Sequence, residues 1–222
     1  MMKIAFVTEC DYAVPHGDVE GCDVIVFPFY YKEPVSYNSE IKGSTTFFKT
    51  LTNLSKCLKT TVIAGVDTDS YGALRHSVAV CDNGKLLGIS DMISVREGDS
   101  YVGGGSLRVY ETRAGKIGII AGGDVFCSEC IRTLAQCGAD VIVSVCDPIL
   151  DNNVGISARA KAYEFGVPIA VCANKNAMLA LTSGELAFCS PKKVTVANVR
   201  VDKEYHLVTL RRRGRKQQKN RS

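Results

Sequence analysis

The sequence predicts a single α/β domain built around a mixed sheet. Short, fully apolar segments that are typical of buried strands alternate with segments of helical periodicity. Hairpin signals join several neighbouring strand segments, so antiparallel pairs must accompany the parallel pairs that helical crossovers create. The 222 residues, 46% of them apolar and 23% charged, fit one globular domain. We therefore expect one domain over residues 1–210, with helices covering an outer face of the sheet.

The first half of the chain is expected to be rich in strands. Apolar segments predict opening strands at residues 3–8 and 22–28, and Pro15, Gly17 and Gly21 leave no room for a long helix between them. Helical spacing over residues 44–58 predicts a helix that Ser44 could cap. The next predicted strands cover residues 61–66, 77–81 and 86–90, and Asp82-Asn-Gly84 makes a hairpin turn between the last two.

The second half alternates strands with two helices. A hairpin at Arg113-Ala-Gly115 joins predicted strands 107–111 and 116–121. The helices are expected at residues 128–137, ending before Gly138, and at residues 157–165, ending before Gly166. The remaining predicted strands cover residues 140–146, 168–173, 186–189, 194–199 and 206–210.

The charge of the chain is concentrated at one end. Residues 211–222 hold seven of the 27 basic residues and no acidic one, which leaves 20 basic residues against 23 acidic ones in the body. We expect a basic, disordered tail over 211–222. A cationic tail could also contact nucleic acid, and this remains a separate hypothesis.

The cysteine pattern and the N-terminus favour the cytoplasm. The ten cysteines are scattered, and several lie within apolar strand segments, where a free thiol behaves as a small hydrophobe. They lack the compact pairs of a zinc site, so no metal and no cofactor are expected. No signal-peptide pattern is visible, and no apolar stretch approaches the ~20 residues of a membrane-spanning helix.

Three segments carry a resemblance to a known family. They are the strand and elbow that begin Gly115-Lys-Ile-Gly and lead through Asp124 to Glu129, the helix and strand that run from Arg159-Ala-Lys-Ala to Asn174, and the strand that ends in Phe27-Pro28. In this order and spacing they are similar to the nitrilase, or carbon–nitrogen hydrolase, superfamily. The resemblance extends from the first strand to about Asn174.

That resemblance implies a four-layer α-β-β-α sandwich of two mixed sheets, here truncated near the N-terminus because the helix between the first two strands is missing. It also implies a homodimer formed through outer helices. The family's chemistry is acyl transfer on non-peptide carbon–nitrogen bonds, with a cysteine nucleophile, a glutamate base and a lysine that stabilises the developing charge.

The residues at the three catalytic positions of the family are substituted here. The glutamate position holds Phe29, the lysine position falls at Met92 to within one or two residues, and the cysteine position holds Gly122. None of these side chains can transfer a proton, hold an anion or attack a carbon atom. The substitutions therefore predict a protein that has lost amide and nitrile hydrolysis.

Other residues of the implied pocket persist. Asp124 and Glu129 stand where the elbow motif places them, and Glu97 resembles a further glutamate of the family pocket. These carboxylates could line a pocket that binds a small molecule without turnover. Asp124 and Glu129 could instead stabilise a helix N-terminus and hold the elbow together.

A relocated nucleophile is the alternative hypothesis. Cys127 and Cys130 form a C-x-x-C pair at a helix start, where a thiol pKa can be depressed, so either could serve a divergent thiol amidohydrolase. Glu33 could in principle replace the missing base, but a surface position in a loop is the preferred explanation. The three histidines, His16, His76 and His206, are dispersed in sequence and receive no role at this stage. The primary hypothesis is therefore a nitrilase-like protein with a binding, scaffolding or regulatory role.

Overall fold

The computed structural model describes residues 1–9, 16–29, 33–146 and 152–201. In chain order the elements are β1 (Met2–Val7), α1 (His16–Val19), β2 (Val24–Phe29), β3 (Val35–Ser36), α2 (Tyr37–Lys42), α3 (Phe47–Leu58), β4 (Thr61–Ser70), β5 (Ala73–Asp82), β6 (Lys85–Asp91), β7 (Arg108–Thr112), β8 (Gly115–Ala121), a 3-10 helix (Gly122–Phe126), α4 (Ser128–Gln136), β9 (Val141–Val145), α5 (Asn152–Phe165), β10 (Ile169–Ala173), β11 (Asn176–Ala180), β12 (Leu186–Ser190) and β13 (Val194–Val199).

The strands form two mixed sheets. The first has the order β13-β1-β2-β4-β5-β6, with the short β3 paired to β4. The second has the order β12-β11-β10-β9-β8-β7. In each sheet a parallel centre, β1-β2-β4 or β8-β9-β10, is flanked by antiparallel strands. The predicted mixed α/β architecture is confirmed.

Three apolar cores separate four layers. The central core joins the inner faces of the two sheets through side chains such as Phe6, Ile63 and Ile119. A second core seals the second sheet under α4 and α5, and a third seals the first sheet under α3. A sheet buried on both faces requires near-continuous apolar strands, as observed in β2 and β9. The four-layer α-β-β-α sandwich is therefore present.

The described helix between β1 and β2 is only the four residues of α1, as the short connection predicted. The Asn83-Gly84 turn is also confirmed, with φ of 49° and 76° at its two residues. The expected strand at 206–210 and the basic tail at 211–222 lie outside the described residues.

Two predictions about helix starts were wrong. Helix α3 begins at Phe47 and not at 44, and Ser44 does not cap it. Its N-terminus is instead held by Glu40 of α2, whose carboxylate accepts hydrogen bonds from the backbone N–H of Phe47 at 2.9 Å and of Phe48 at 3.1 Å. Helix α5 begins at Asn152, five residues before the predicted start.

A bulge near the end of β2 fixes the position of Phe29. The pairing with β4 shifts between Phe27 and Phe29, so that Phe29 pairs with Gly65. Pro28, which has no N–H to donate, lies within this irregularity, where a proline in a central strand is tolerated. Gly65 permits the close approach, because a Cβ there would lie 2.8 Å from the backbone nitrogen of Phe29.

No helix among the described residues is both long enough and apolar enough to cross a membrane.

Candidate functional site

A cleft of about 240 Å³ opens where β5, β6, β8 and β9 end or pass close to one another. Its lining combines apolar side chains with a few polar groups, which is typical of small-molecule sites. The lining residues are His76, Met92, Ser94, Arg96, Asp99, Gly122, Gly123, Val125, Phe126, Cys146 and Val154.

Met92 and Gly122 face each other across this cleft. Gly122 follows β8 with φ of 51°, a left-handed conformation that favours glycine. An ideal Cβ at Gly122 would lie 2.5 Å from the Met92 sulfur. The backbone N–H of Gly123 donates to the same sulfur at 3.3 Å. The Met92 thioether therefore occupies the space that a side chain at 122 would need. It also accepts the hydrogen bond of the Gly123 N–H, which could otherwise donate to an anion.

Phe29 contacts His76, which lines the cleft. The Phe29 ring packs edge-on against the imidazole, with ring centroids 5.3 Å apart, and only 4% of Phe29 is exposed. The backbone N–H of Met92 donates to the carbonyl of His76 at 2.8 Å. Phe29, Met92 and Gly122, which are distant in sequence, are thus brought together around one histidine.

His76 is held in one orientation by Asp67 and Tyr101. The two strands β4 and β5 pair Asp67 directly with His76, and His76 Nδ1 lies 2.6 Å from Asp67 Oδ1. The hydroxyl of Tyr101 donates to Asp67 Oδ2 at 2.9 Å, and its ring stacks on the imidazole with centroids 3.7 Å apart. Burial, followed by the hydrogen bond to Asp67, raises the pKa of Tyr101 to about 12. Tyr101 therefore remains a hydrogen-bond donor at neutral pH.

Asp124 holds the elbow together. It is fully buried, and its carboxylate accepts hydrogen bonds from the backbone N–H groups of Ile93 and Ser94, the shortest of them 2.7 Å long. Burial raises its pKa, and these hydrogen bonds oppose the rise. Asp124 thus fixes the segment after Met92 against the 3-10 helix, which is the architectural role considered for it, and it does not line the cleft.

Glu97 and Glu129 lie outside the cleft lining. Both side chains are exposed. Glu129 is in the first turn of α4, and its Oε2 lies 3.8 Å from the Cys127 sulfur. In this arrangement neither carboxylate is placed to meet a ligand beside Met92 and Gly122.

Three thiols lie near the elbow and differ in environment. Cys130 is 3% exposed, and burial, followed by the interaction with Cys127, raises its pKa. Cys127 is half-buried at the start of α4. Cys146 lines the cleft beside the carbonyl of Gly122, and burial raises its pKa to about 11. Cys130 and Cys146 are therefore protonated and weakly nucleophilic at neutral pH.

A buried lysine lies beneath the elbow. Lys161 of α5 donates to the carbonyl of Val125 at 3.1 Å and to the Ser157 hydroxyl. Burial lowers its pKa, and the neighbouring Cys127 and glutamates oppose this shift. Because its ammonium is engaged by α5 and the 3-10 helix, Lys161 ties two elements together and does not line the cleft.

No sequence motif identified His76, Asp67 or Cys146 as residues in or beside the cleft. Asp67 and His76 are nine residues apart, and only the hairpin register brings them together. For Asp67 and His76 the usable sequence signal is the Tyr71-Gly72 turn, whose residues have φ of 55° and 87°. This turn places Ser70 opposite Ala73, and the same register places Asp67 opposite His76. Among the described residues, no cluster of three or more His, Cys, Asp or Glu side chains could hold a metal ion.

Comparison with known proteins gives a consistent family assignment. A family model of carbon–nitrogen hydrolases matches residues 13–206, so the similarity extends beyond Asn174, where the sequence analysis ended it. No curated protein matches the sequence significantly. Solved structures of the nitrilase superfamily share the fold at low identity.

Three of these structures illustrate the likeness. The amidase of Nesterenkonia sp. AN1 superposes with a TM-score of 0.72 at 13% identity, over 90% of this chain and 93% of the amidase. Saccharomyces cerevisiae Nit3, of branch 10 of the superfamily, gives 0.72 at 15% identity, over 88% and 89%. A carbon–nitrogen hydrolase from Helicobacter pylori gives a TM-score of 0.72 at 14% identity, over 90% of this chain and 89% of the hydrolase. A variant of the Nesterenkonia amidase carries acrylamide added at its active-site cysteine.

Proposed function

Since this chain belongs to the carbon–nitrogen hydrolase family of the nitrilase superfamily, we propose that it has lost amide and nitrile hydrolysis and uses the family fold for binding or regulation. On this proposal Phe29, Met92 and Gly122 occupy the positions of the base, the charge-stabilising cation and the nucleophile. The cleft that they surround holds a small molecule and does not transform it.

One observation carries the proposal. The Met92 sulfur lies 2.5 Å from the place of a Cβ on Gly122, and it also accepts the N–H of Gly123. A nucleophile at 122, or an anion on that N–H, would require the Met92 side chain to leave the position it occupies. Acyl transfer needs the nucleophile and the stabilised oxyanion together.

The surrounding groups do not replace the missing chemistry. Among the described residues, the ionisable side chains that line the cleft are His76, Arg96, Asp99 and Cys146. Cys146 is a buried thiol, and burial raises its pKa to about 11. A neighbouring positive charge would lower this pKa, but none is among its causes. Without a lowered pKa or a paired base, a thiol remains protonated and reacts slowly.

Intact-mass spectrometry tests the proposal directly. Purified protein is incubated with a panel of amides and nitriles and with a thiol-reactive probe, and any adduct is located by peptide mapping. We expect no acyl adduct and no hydrolysis product. The proposal would be refuted by an acyl adduct on Cys127, Cys130 or Cys146 together with hydrolysis product that disappears in the matching Cys→Ala variant. That result would support the alternative hypothesis of a divergent thiol amidohydrolase.

We also propose that two copies associate through the outer helices. Apolar side chains are exposed on that side, namely Phe126 at 48%, Ile156 at 64% and Tyr163 at 40%. Sedimentation velocity should show a dimer that Ile156→Asp dissociates. The matched control is Tyr71→Asp at the β4–β5 turn, where the side chain is 88% exposed on another part of the surface. A monomeric wild-type protein, or equal effects of the two variants, would refute this interface.

None of the nine described cysteines is in a disulfide bond, which supports a reducing compartment such as the cytoplasm. Nucleic-acid binding by residues 211–222 remains a separate proposal. It requires affinity that falls steeply with salt and is lost when the tail is deleted.

A further inference from the structure

We propose that His76 is the ligand-binding residue of the cleft and that its Nε2 accepts a hydrogen bond from a small neutral molecule with a hydroxyl or N–H group on an apolar body. This inference rests on the proposed binding function of the cleft. It goes beyond the family's chemistry, because neither Asp67 nor His76 is one of the three substituted catalytic positions.

The orientation of the imidazole is the first support. Nδ1 is occupied by Asp67 at 2.6 Å, and within the described part of the chain Nε2 has no hydrogen-bond partner. Tyr101 stacks on the ring and Phe29 packs against its edge, so rotation of the side chain is restricted on both sides. His76 lines the cleft, and Nε2 is the ring nitrogen left for a ligand.

The tautomer follows from the partners of Asp67. Its two carboxylate oxygens accept from His76 and Tyr101, and a carboxylate cannot donate. The imidazole must therefore carry its proton on Nδ1, and in the neutral ring Nε2 is an acceptor. The group that completes this site is consequently a hydrogen-bond donor.

The rest of the cleft sets the character of the ligand. Met92, Val125, Phe126 and Val154 supply apolar walls, and in the described part of the lining the positive charge of Arg96 is balanced by the negative charge of Asp99. A balanced lining does not favour a net charge on the ligand. The volume of about 240 Å³ lies just below the range of ~300–1,000 Å³ usual for drug-sized ligands, so the molecule is small.

The substituted catalytic positions contribute to this site. Phe29 packs an apolar ring against the imidazole at the position where the family has a glutamate. Met92 closes the space above Gly122 and holds the backbone of β5 through the carbonyl of His76. The same replacements that remove acyl transfer therefore hold the imidazole in a fixed position beside apolar groups.

Phenol and anisole are matched probes for this inference. They share an aromatic ring and differ in that phenol has a hydroxyl donor, whereas anisole has a methyl ether. Binding is followed on full-length protein by the ¹³C-methyl resonance of Met92 and the imidazole ¹⁵N resonances of His76. We expect phenol to bind about fivefold more tightly than anisole, the ratio that one net hydrogen bond produces, and to shift Nε2.

The variant His76→Phe removes Nε2 but keeps a ring between Tyr101 and Phe29. It should reduce the phenol-to-anisole ratio to about one while anisole affinity changes little. Tyr71→Phe is the matched control, because it removes a hydroxyl from a ring that is 88% exposed and outside the cleft lining, and it should leave the ratio unchanged. Retention of folding is verified from the backbone amide spectrum.

Each outcome separates this inference from the proposed loss of hydrolysis. Equal binding of the two probes to the wild type, no shift up to the solubility limit of phenol, or a phenol preference that survives in His76→Phe would overturn the role of His76. None of these results depends on turnover, so the inference can fail while the protein is inactive toward amides. Conversely, an acyl adduct would refute the proposed function whatever the probes show.

Discussion

The sulfur of Met92 lies where a side chain on residue 122 would have to begin. The distance from Met92 Sδ to an ideal Cβ on Gly122 is 2.5 Å, and the N–H of Gly123 donates to the same sulfur. Real Cβ contacts are essentially never this short, so the two positions are coupled: a larger residue at 122 requires the Met92 side chain to leave its observed position. Glycine at 122 and the thioether of Met92 therefore form one arrangement.

The first prediction follows from this coupling. Gly122→Cys should lower the free energy of unfolding by about 2–4 kcal/mol, because a non-glycine residue at φ of 51° is strained and the new Cβ meets the sulfur. It should not restore hydrolysis of amides or nitriles. Urea denaturation and product assays measure the two effects.

Gly123→Ala is the matched control for that substitution. The nearest atom to its Cβ would be the carbonyl oxygen of Ser94 at 3.9 Å, which is ordinary contact. We expect a change within about 0.5 kcal/mol. If Gly122→Cys were as stable as Gly123→Ala, the steric coupling between residues 92 and 122 would be refuted.

Much of the fold could be predicted from local patterns. The buried strands are continuous apolar runs, and Asn83-Gly84 has the residue types that a two-residue hairpin requires. Two elements depended on tertiary context instead. The start of α3 is set by Glu40 on another helix. Strand β11 has the sequence Asn-Ala-Met-Leu-Ala, of which Ala, Met and Leu have high helix propensity, yet it pairs with β10 and β12.

The site was predictable only in part. Family motifs pointed to Phe29, Met92 and Gly122; in the structure Met92 and Gly122 line one cleft, and Phe29 packs against His76, which also lines it. The pair Asp67 and His76 carries no motif, since its spacing of nine residues has meaning only within the register of the β4–β5 hairpin. The predicted strands stopped at 66 and resumed at 77, and so omitted the part of the hairpin that contains the pair.

The second prediction concerns the pH dependence of stability through Tyr101. Its pKa in the folded protein is about 12, above its ordinary value of 10. A group with a raised pKa contributes stability that is complete below its unfolded pKa and is lost as pH rises through the folded one. The free energy of unfolding should therefore fall between pH 10 and 12 more steeply in the wild type than in Tyr101→Phe.

Asp67→Asn provides an independent test of the cause. Burial is the largest cause of the raised Tyr101 pKa, and the hydrogen bond and charge of Asp67 come next. The variant removes that charge and weakens that hydrogen bond but leaves burial in place. The pKa of Tyr101 should therefore fall but stay above 10. Titration of the ¹³Cζ resonance of Tyr101 measures this value. An unchanged pKa would mean that Asp67 does not hold the Tyr101 hydroxyl.

The third prediction ranks the thiols by reactivity. Cys130 and Cys146 should resist iodoacetamide at pH 8, because both are buried and burial raises their pKa values. Cys137, which is exposed at the other end of α4, is the internal control and should react at the rate of an unfolded peptide. Quantitative peptide mapping over time gives all three rates from one sample. If Cys146 or Cys130 reacted faster than Cys137, the prediction would be wrong, and the result would support the hypothesis that the nucleophile has moved to that cysteine.

The fourth prediction concerns the contact that places Phe29. Gly65→Ala should lower the free energy of unfolding by about 2–4 kcal/mol, because the new Cβ would lie 2.8 Å from both the backbone nitrogen of Phe29 and Val145 Cγ1. The backbone nitrogen cannot move without disturbing the β2 bulge, so Phe29 should shift against His76, and the imidazole ¹⁵N resonances should report that shift. Gly105→Ala, where an added Cβ meets nothing within 4 Å, is the control and should leave both stability and the imidazole resonances unchanged. If Gly65→Ala lowered stability but left the His76 resonances in place, the bulge would matter for the sheet alone, and Phe29 would not set the geometry of the cleft.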